Sequence, residues 1–415
     1  MKNEESKSQT MDKRTFEKIK VLDFTWAGVG PFSVNFLAYF GATVIKIENM
    51  SRPDVTRTNP PFKDGIPDLG HSLYFSYSHP VKKYDITLNL NHPKGVDLVK
   101  KLVLQADVFA ESFLPGTMEK WGLGYEDLRR IKPNIIMFRT CSHGQTGSMA
   151  KHPGLGFTLT SLAGFNTVMG WPDRPPSELL GAYTDLVAPL FGGLCIIAAL
   201  DYRRRTGKGQ CLDFSQHEAA IQFLAPLVLD CAVNGREPNR GGNHCTHAAP
   251  HGGYRCQGDD RWCAISVFTD DEWRAFCKVT GHPEWTNDRR FGTLLSRKRN
   301  EEELDRLVEE WTRERSPEEV ANLLQAVGVP AGVVSNAKDQ REDPQLKHYR
   351  FFRELDHPSM GKLGFYHPPG FKLSGVAPEV SAPPVLGQDN EYVCTQILGL
   401  SDEEFVELIQ DGVFS

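Results

Sequence analysis

One stretch in the middle of the chain constrains the fold more than any other. It places a carboxylate, Asp185, just ahead of an apolar run from Pro189 to Leu200, and the run ends in Arg203 to Arg205. Proline suits the first position of a helix, where its missing N–H costs nothing, and cations suit the negative end of the helix dipole. The stretch therefore predicts a helix that begins at Pro189, with Asp185 ionised beside its positive end.

The residues after the arginines predict a strand and a further helix. Gly207 ends the first helix, and Gln210 to Phe214 is typical of a short strand. Ser215 and Glu218 have the spacing of a capping box. The longest apolar run, Leu186 to Leu200, is shorter than the roughly 20 residues that cross a bilayer. We therefore expect a core helix and no membrane contact.

Composition limits the class of protein and its partners. The 415 residues allow two or three domains, and 40% hydrophobic with 24% charged residues is typical of a soluble globular protein. A net charge of −6 argues against nucleic acid as a partner. The polar N-terminus has no signal-peptide pattern, and nine cysteines lack any C-x-x-C pair. These features predict a cytoplasmic protein with free thiols and no bound metal.

The first part of the chain predicts a parallel sheet. Lys20 to Thr25 and Ala42 to Glu48 have the composition of strands, and the tight turn Gly28 to Pro31 lies between them. This is the spacing of a β-α-β unit. The glycines of the turn, followed by Glu48, nearly match the dinucleotide-binding fingerprint, but Ser33 stands in place of the third glycine. A plain turn and a nicotinamide site both remain open from these residues alone.

Three more stretches place notable residues where predicted strands begin or end. Lys83 stands at a strand entrance, and Phe113 lies in ESFLPG after another strand. The loop Ser142 to Gly147 follows the predicted strand Asn134 to Thr140. Taken alone, Lys83 indicates a solvated edge and Phe113 a core aromatic. Gly144 allows close backbone approach at a strand end, where open α/β sheets bind ligands.

Together these stretches resemble the class III coenzyme A transferases, which include formyl-CoA, carnitine-CoA and benzylsuccinate-CoA transferases and related acyl-CoA racemases. The Asp185 segment and the KVLDF, KKY and PHG stretches carry the resemblance, which covers nearly all of Lys20 to Phe414. It implies an α/β fold with a large Rossmann-like domain from both chain ends and an inserted small α+β domain. It also implies that two ring-like subunits interlock as a dimer.

The resemblance divides the chain into segments. The expected segments are a flexible N-terminal tail (1–19), the N-terminal part of the large domain (20–225), a linker (226–255), the small domain (256–335), a second linker (336–349) and the C-terminal part of the large domain (350–415).

The resemblance also implies roles for individual residues. Asp185 matches the catalytic aspartate. Ser112 replaces the usual Asn of its motif, which weakens one expected contact, and His143 replaces an aromatic residue. The residues implied at the oxyanion or substrate pocket are His143, Gly144 and Gln145. The residues implied at coenzyme A are Ala27, Gly28, Lys83, Phe113, Cys141 and Ser142.

The implied reaction is transfer of coenzyme A from an acyl-CoA donor to a carboxylic acid through an aspartyl mixed anhydride and an aspartyl-CoA thioester. Coenzyme A is then a substrate, and neither metal nor nicotinamide is needed. The intervals of His244, His247 and His251 do not fit a zinc pattern. His143 and Trp171 suggest a bulky or aryl acid.

Alternatives to this reaction remain open. One is an acyl-CoA racemase of the same superfamily, which uses His and Asp for proton exchange. Another is a noncatalytic acyl-CoA-binding subunit, and a nicotinamide dehydrogenase is a distant third. The expected assembly is a homodimer, or a heteromer with a related subunit.

Overall fold

The computed structural model of this chain describes residues 14–415. Most of the predicted flexible tail, residues 1–19, lies outside the described residues. The strands are β1 (Lys20–Phe24), β2 (Thr43–Glu48), β3 (Tyr84–Thr87), β4 (Val108–Glu111), β5 (Ile136–Cys141), β6 (Cys211–Ser215), β7 (His251–Arg255), β8 (Trp262–Ser266), β9 (Ala331–Val333), β10 (Arg353–His357) and β11 (Gly361–Tyr366).

The helices connect these strands and cover the sheet. They are α1 (Val29–Ala38), α2 (Val55–Thr58), α3 (Leu73–Ser78), α4 (Pro93–Gln105), α5 (Thr117–Lys120), α6 (Tyr125–Ile131), α7 (Gly156–Leu162), α8 (Phe165–Val168), α9 (Tyr183–Thr206), α10 (Gln216–Ile221), α11 (Ala225–Asn234), α12 (Asp270–Thr280), α13 (Leu294–Arg299), α14 (Glu301–Arg313), α15 (Pro317–Gln325), α16 (Ala337–Glu342), α17 (Pro344–His348), α18 (Asn390–Tyr392) and α19 (Asp402–Gln410).

The main sheet has six parallel strands in the order β3-β2-β1-β4-β5-β6. Strand side chains alternate between its faces. Leu22 and Phe24 pack on one face in the cluster that contains residues of α4, whereas Val21 packs on the other face in the cluster that contains residues of α1 and α9. Both faces are thus covered, and the predicted parallel β-α-β arrangement is confirmed. The carboxyl ends of all six strands meet at one edge, where such sheets bind ligands.

Helix α9 differs from its predicted start. It begins at Tyr183, so Asp185 lies in its first turn and Pro189 lies inside it. The prediction that Pro189 opens the helix is wrong. The ring removes only the N–H that would bond to the carbonyl of Asp185, one turn from the helix end, where a lost bond is tolerated more easily. Gly207, with φ of 74°, ends the helix as predicted.

Helix α9 packs closely against α1. A Cβ on Gly192 would stand 2.1 Å from Ser33 Oγ, and one on Gly193 would stand 2.7 Å from Phe36 Cδ2. Glycine at these two positions therefore allows the helix backbones to approach. The helix has the length and hydropathy of a membrane span. Its buried face nevertheless joins the sheet core, which agrees with the predicted core helix.

The described chain divides into two compact units. The first contains the described part of Met1–Phe165 together with Glu178–Glu237 and His348–Ser415, and the second contains Asn166–Ser177 and Pro238–Lys347. The first holds the main sheet and the β10-β11 hairpin. The predicted small domain, 256–335, lies within the second unit, which also takes in residues that the prediction gave to the large domain and the linkers.

The second unit has its own core. Its antiparallel sheet has the order β7-β8-β9. Trp273 and Phe276 of α12 are buried with Leu304 and Val308 of α14. Thr269 and Glu272 form a capping box at the start of α12, which is worth about 1 kcal/mol. This unit is therefore stabilised by its own hydrophobic cluster.

Candidate active site

Asp185 lies in the first turn of α9 between two glycines of the first unit. A Cβ added to Gly28, at the start of α1, would stand 3.1 Å from Asp185 Oδ2. A Cβ added to Gly156, the first residue of α7, would stand 2.7 Å from Asp185 Oδ1. The carboxylate is thus bordered by bare backbone on two sides. Any side chain at either position would take up the space around its oxygens.

An amide is the hydrogen-bond partner of this carboxylate. Gln216, at the start of α10, donates from Nε2 to Asp185 Oδ1 and, at 2.9 Å, to Thr184 Oγ1. Burial raises the pKa of Asp185 to about 6, and the hydrogen bond from Gln216 offsets this only in part. Asp185 is still mostly ionised at pH 7. Burial, rather than the helix dipole that the sequence suggested, dominates its pKa.

A cavity of about 710 Å³ opens at the carboxyl ends of β1 to β4. Trp26, Phe113 and Trp121 form an aromatic wall, with ring centroids 5.3 Å apart for the first pair and 6.0 Å for the second. Flat aromatic surfaces suit a planar ring of a ligand. The remaining lining residues are Phe24, Ile47, Glu48, Asn49, Ser51, Arg52, Leu88, Asn89, Leu90, Asn91, Thr117 and Ser415.

The turn from Trp26 to Gly28 joins this cavity to Asp185. Ser112 Oγ accepts the N–H of Trp26 at 2.8 Å, so the Ser that replaces Asn still contacts the turn. Ala27 has φ of 64°, a left-handed conformation that is rare outside glycine, and its N–H donates to Asp54 Oδ1 at 3.2 Å. Two residues span at most about 7 Å. Trp26 lines the cavity and Gly28 borders Asp185, so one short turn of chain separates the cavity from the carboxylate.

The loop after β5 is bonded to neighbouring elements. The N–H of Gln145 donates to Asp213 Oδ1 at 2.9 Å, and its Nε2 donates to Cys141 Sγ at 3.5 Å. The carbonyl of Ser142 accepts the N–H of His217 at 3.0 Å. These bonds fix the loop against β6 and α10. They also occupy the backbone N–H and the side-chain amide of Gln145. Gln145 would therefore have to rotate before either group could donate a hydrogen bond to an oxyanion.

His143 and Gly144 occupy the tip of the same loop. The half-buried His143 ring lies 5.6 Å from the ring of His217 and 6.5 Å from that of His152. Burial and the two neighbouring imidazoles lower the pKa of His143. Gly144 has φ of 85°, which a side chain would strain. The loop therefore places the His143 imidazole beside the rings of His152 and His217.

Lys83 does not face an open surface in this structure. Its Nζ donates to Asp23 Oδ2 at 2.9 Å, and both side chains are fully buried. Burial lowers the pKa of Lys83, and Asp23 opposes this effect. Arg52 is instead the exposed cation that lines the cavity.

Sequence reasoning missed four contacts of this site. Trp26 and Arg52 each follow the carboxyl end of a strand by a few residues, so the strand-end rule applied to β1 and β2 would have found them. Trp121 carries no such signal, whereas Gln216 directly follows the carboxyl end of β6, so the same rule would have found it. Gln216 meets Asp185 across 31 positions of sequence, and only the folded chain brings them together.

The histidines of the Gly-rich segment lie in the second unit. His244 Nδ1 is 3.2 Å from Glu301 Oε2, and its ring contacts Trp171. His251 Nδ1 lies 2.6 Å from the carbonyl of Asn243. Trp171, His244 and His251 also line a second cavity of about 500 Å³. Among residues 14–415 there is no cluster of three or more His, Cys, Asp or Glu that could bind a metal ion.

Comparison with known proteins identifies the family to which this chain belongs. The family described as CoA-transferase family III matches residues 16–390. The succinyl-CoA–D-citramalate CoA-transferase of Chloroflexus aurantiacus is 31% identical over 95% of this chain and 97% of its own. The succinyl-CoA–L-malate CoA-transferase beta subunit of the same organism is 30% identical over 94% and 96%. A crystal structure of a CAIB/BAIF family protein from Brucella suis has a TM-score of 0.84 at 29% identity, and covers 93% of this chain and 100% of that one.

The chain therefore belongs to CoA-transferase family III. It is an enzyme that transfers coenzyme A, as the sequence resemblance implied. The transferase names of these relatives do not favour the racemase or the noncatalytic subunit.

Proposed function

We propose that this enzyme moves coenzyme A from a short acyl-CoA to a carboxylic acid through covalent intermediates on Asp185. The observation that carries the proposal is the setting of this carboxylate. It is largely buried, has no cationic partner among residues 14–415, is bordered by two glycines and is joined by one turn to an aromatic cavity. A carboxylate whose pKa is raised to about 6 is more basic than an exposed one and still ionised at pH 7.

The proposed reaction has four steps. Asp185 attacks the thioester carbonyl of the donor, which forms a mixed anhydride and releases the thiolate of coenzyme A. The thiolate attacks the aspartyl carbonyl, which forms an aspartyl-CoA thioester and releases the donor acid. The acceptor carboxylate then displaces the thiolate to form a second anhydride. Attack of the thiolate on the acceptor carbonyl gives the new acyl-CoA and frees Asp185.

The other residues of the site would position the substrates and would not form covalent bonds with them. The aromatic wall with Phe113 would receive the nucleotide end of coenzyme A, and Ala27 and Gly28 would border its path to Asp185. The loop residues Cys141, Ser142, His143, Gly144 and Gln145 would border the thioester carbonyl from the β5 side. Lys83 would not contact coenzyme A directly but would support the site through its buried ion pair with Asp23. Arg52 lines the cavity and is the cation available to a phosphate.

The relatives suggest the first substrates to test. Two of them are named for succinyl-CoA as donor and for citramalate or malate as acceptor. All of these acids carry two carboxylates. Short dicarboxylic acids are therefore better candidates than the bulky or aryl acid that the sequence suggested.

We further propose that the working enzyme is an oligomer in the cytoplasm. Helices α9 and α11 expose apolar side chains at helical spacing: Leu190 is 52% exposed and Leu194 63%, while Leu229 is 62% exposed and Val233 71%. Such faces usually bind another subunit. A second copy of this chain is the first choice, and a related subunit is the alternative because one relative is named as a beta subunit. Light scattering of the chain expressed alone separates the two.

Trapping of the aspartyl-CoA thioester tests the reaction. The enzyme is incubated with succinyl-CoA, quenched and examined by intact mass, and a second sample is treated with hydroxylamine. We expect a mass gain equal to coenzyme A less one water, its loss on hydroxylamine treatment, and a hydroxamate in the peptide that contains Asp185. A label at any other residue, or no label with a thioester that the enzyme turns over, would contradict the proposal.

Asp201 offers a matched control in the same helix. Its carboxylate is exposed and pairs with Arg204 and Arg205. Asp201→Asn should form the adduct as the unchanged enzyme does, because Asp201 lies 16 residues after Asp185 in the same helix and does not border the two glycines or Gln216. Asp185→Asn should form none.

A further inference from the structure

Three histidine rings meet in the first unit, beside the start of α10. The ring of His143 lies 5.6 Å from that of His217 and 6.5 Å from that of His152. His217 directly follows Gln216, whose amide donates to Asp185. Consecutive Cα atoms are about 3.8 Å apart. His217 is therefore the backbone neighbour of the residue that binds the carboxylate, and the cluster lies entirely within the first unit.

The rings of this cluster are free to bind a ligand. Among the described residues, no hydrogen bond from any of these three rings to another protein group is found, whereas the backbone N–H of His217 is taken by Ser142. A neutral imidazole carries one N–H donor, and a protonated one carries two. No group within residues 14–415 has the arrangement of a metal site. A set of ring donors without a metal suits an anion with several acceptor oxygens.

We propose that His143, His152 and His217 bind the second carboxylate of a short dicarboxylic acid whose first carboxylate reacts with Asp185. This inference rests on the proposed function. His152 is exposed and the other two rings are partly exposed. An acid with a single carboxylate places a methyl group against these donors and accepts no hydrogen bond from them, so the cluster favours the dicarboxylic acid.

The charges around the cluster are compatible with an anion. Asp213 also borders this loop, but its Oδ1 already accepts the N–H of Gln145. Lys151 is exposed beside His152 and adds a positive charge. The lowered pKa of His143 keeps its ring neutral before substrate binds. A neutral ring forms no ion pair with Asp185 and so does not lower the nucleophilicity of its carboxylate.

A comparison of matched acceptors tests the inference. With succinyl-CoA as the common donor, kcat/KM is measured for succinate (isotopically labelled) against butyrate and for glutarate against valerate. Each pair differs by one carboxylate in place of a methyl group. The unchanged enzyme should prefer the dicarboxylic acid, and His143→Phe and His217→Phe should each lower that preference about 10- to 100-fold. His143→Gln keeps an N–H donor and should retain more of it than His143→Phe.

Controls separate specificity from folding and from the chemistry. His348→Phe changes an exposed histidine of the same unit and should leave the preference unaltered. Equal preference for both acids in the unchanged enzyme, or parallel losses for both acids in the variants, would overturn the inference. Intact mass is followed in each variant. A retained adduct at Asp185 with an unaltered preference refutes the histidine role alone, whereas no adduct in the unchanged enzyme refutes the proposed function.

Discussion

Two regions of the first unit bury carboxylates, with opposite electrostatic results. At the end of β2, burial raises the pKa of Glu48, but Lys46 and Arg57 outweigh burial and lower it to about 2. Arg57 Nη2 lies 2.8 Å from Glu48 Oε1, and both side chains are inaccessible to solvent. Burial also raises the pKa of Asp185, but only the amide of Gln216 opposes it, and the value stays at about 6. The partner, rather than the depth, decides the charge of a buried carboxylate.

The comparison assigns different roles to the two regions. Burying an ion pair costs desolvation free energy. Removing only one partner costs more, because it leaves the other charge buried and unpaired. Lys46 Nζ donates to the carbonyl of Thr25 and to Asp54 Oδ2, both at 3.0 Å, and Asp54 in turn accepts the N–H of Ala27. The paired region thus supports the turn beside the unpaired carboxylate. One region supplies rigidity, and the other supplies reactivity.

The largest expected effect is the loss of the unpaired carboxylate. Asp185→Asn keeps the size of the side chain and can still accept from Gln216, so we expect folding and coenzyme A binding to persist. Because the nucleophile is removed, kcat should fall about 10⁴-fold or more. Steady-state transfer assays and calorimetric titration with coenzyme A measure the two properties. Because deamidation can convert the introduced Asn back to Asp, Asp185→Ala is measured as a second variant. Normal turnover in both variants would exclude Asp185 as the nucleophile.

Removing a cation from the paired region should act on stability instead. Arg57→Met leaves Glu48 and Asp85 buried beside an uncharged side chain, since Arg57 Nη2 bonds to both. The free energy of unfolding should fall by about 3–5 kcal/mol. Urea denaturation measures this change. Arg129→Met removes an exposed pair with Glu126 and should cost less than about 1 kcal/mol.

Equal losses for these two arginine variants would mean that burial does not distinguish the pairs. A collapse of Asp185 trapping in folded Arg57→Met would have another meaning. It would show that the paired region controls the turn at Ala27 as well as the stability of the sheet.

A smaller effect is expected from the glycines that border Asp185. Gly156→Ala places a Cβ 2.7 Å from Asp185 Oδ1 and 2.4 Å from the Cβ of Ala182. The carboxylate must then shift, and a displacement of this kind should lower kcat about 10- to 100-fold. Gly370→Ala is the matched control, because nothing lies within 4 Å of its added Cβ. Pre-steady-state adduct formation measures both variants, and equal rates would show that the space beside Asp185 is not used.

The sequence predicts the regular elements well and the polar contacts poorly. The predicted strands Lys20 to Thr25 and Ala42 to Glu48 match β1 and β2 to within one residue, and Ser215 caps α10 as predicted, because such signals are local. The predicted start of α9 was wrong because proline is favoured at a first helical position but can also stand inside a helix, where it removes one hydrogen bond. The bond from Gln216 to Asp185 and the ion pair of Lys83 with Asp23 join distant positions. No local pattern encodes such contacts, so the raised pKa of Asp185 could not be predicted.

The smallest expected effect concerns the contribution of Asp185 to stability, which can be measured separately from its reactivity. The pKa of Asp185 is about 6 in the folded state, against an ordinary value of 3.8 when unfolded. The folded state therefore binds this proton more tightly. Its stabilising contribution is complete below pH of about 4 and is lost as the pH rises through about 6.

Asp185→Asn is neutral at every pH and does not lose that contribution. At pH 7.5 the variant should be more stable than the unchanged enzyme by about 1–2 kcal/mol, less than the full shift implies because the carboxylate is partly solvated. The advantage should vanish near pH 4. Asp201→Asn provides the opposite case, since hydrogen bonds from Arg204 and Arg205 lower the pKa of Asp201 and neutralising it should not stabilise the protein. Urea titrations of the three proteins between pH 4 and 7.5 measure these slopes, and a pH-independent difference for Asp185→Asn would mean that Asp185 is solvated like any surface carboxylate.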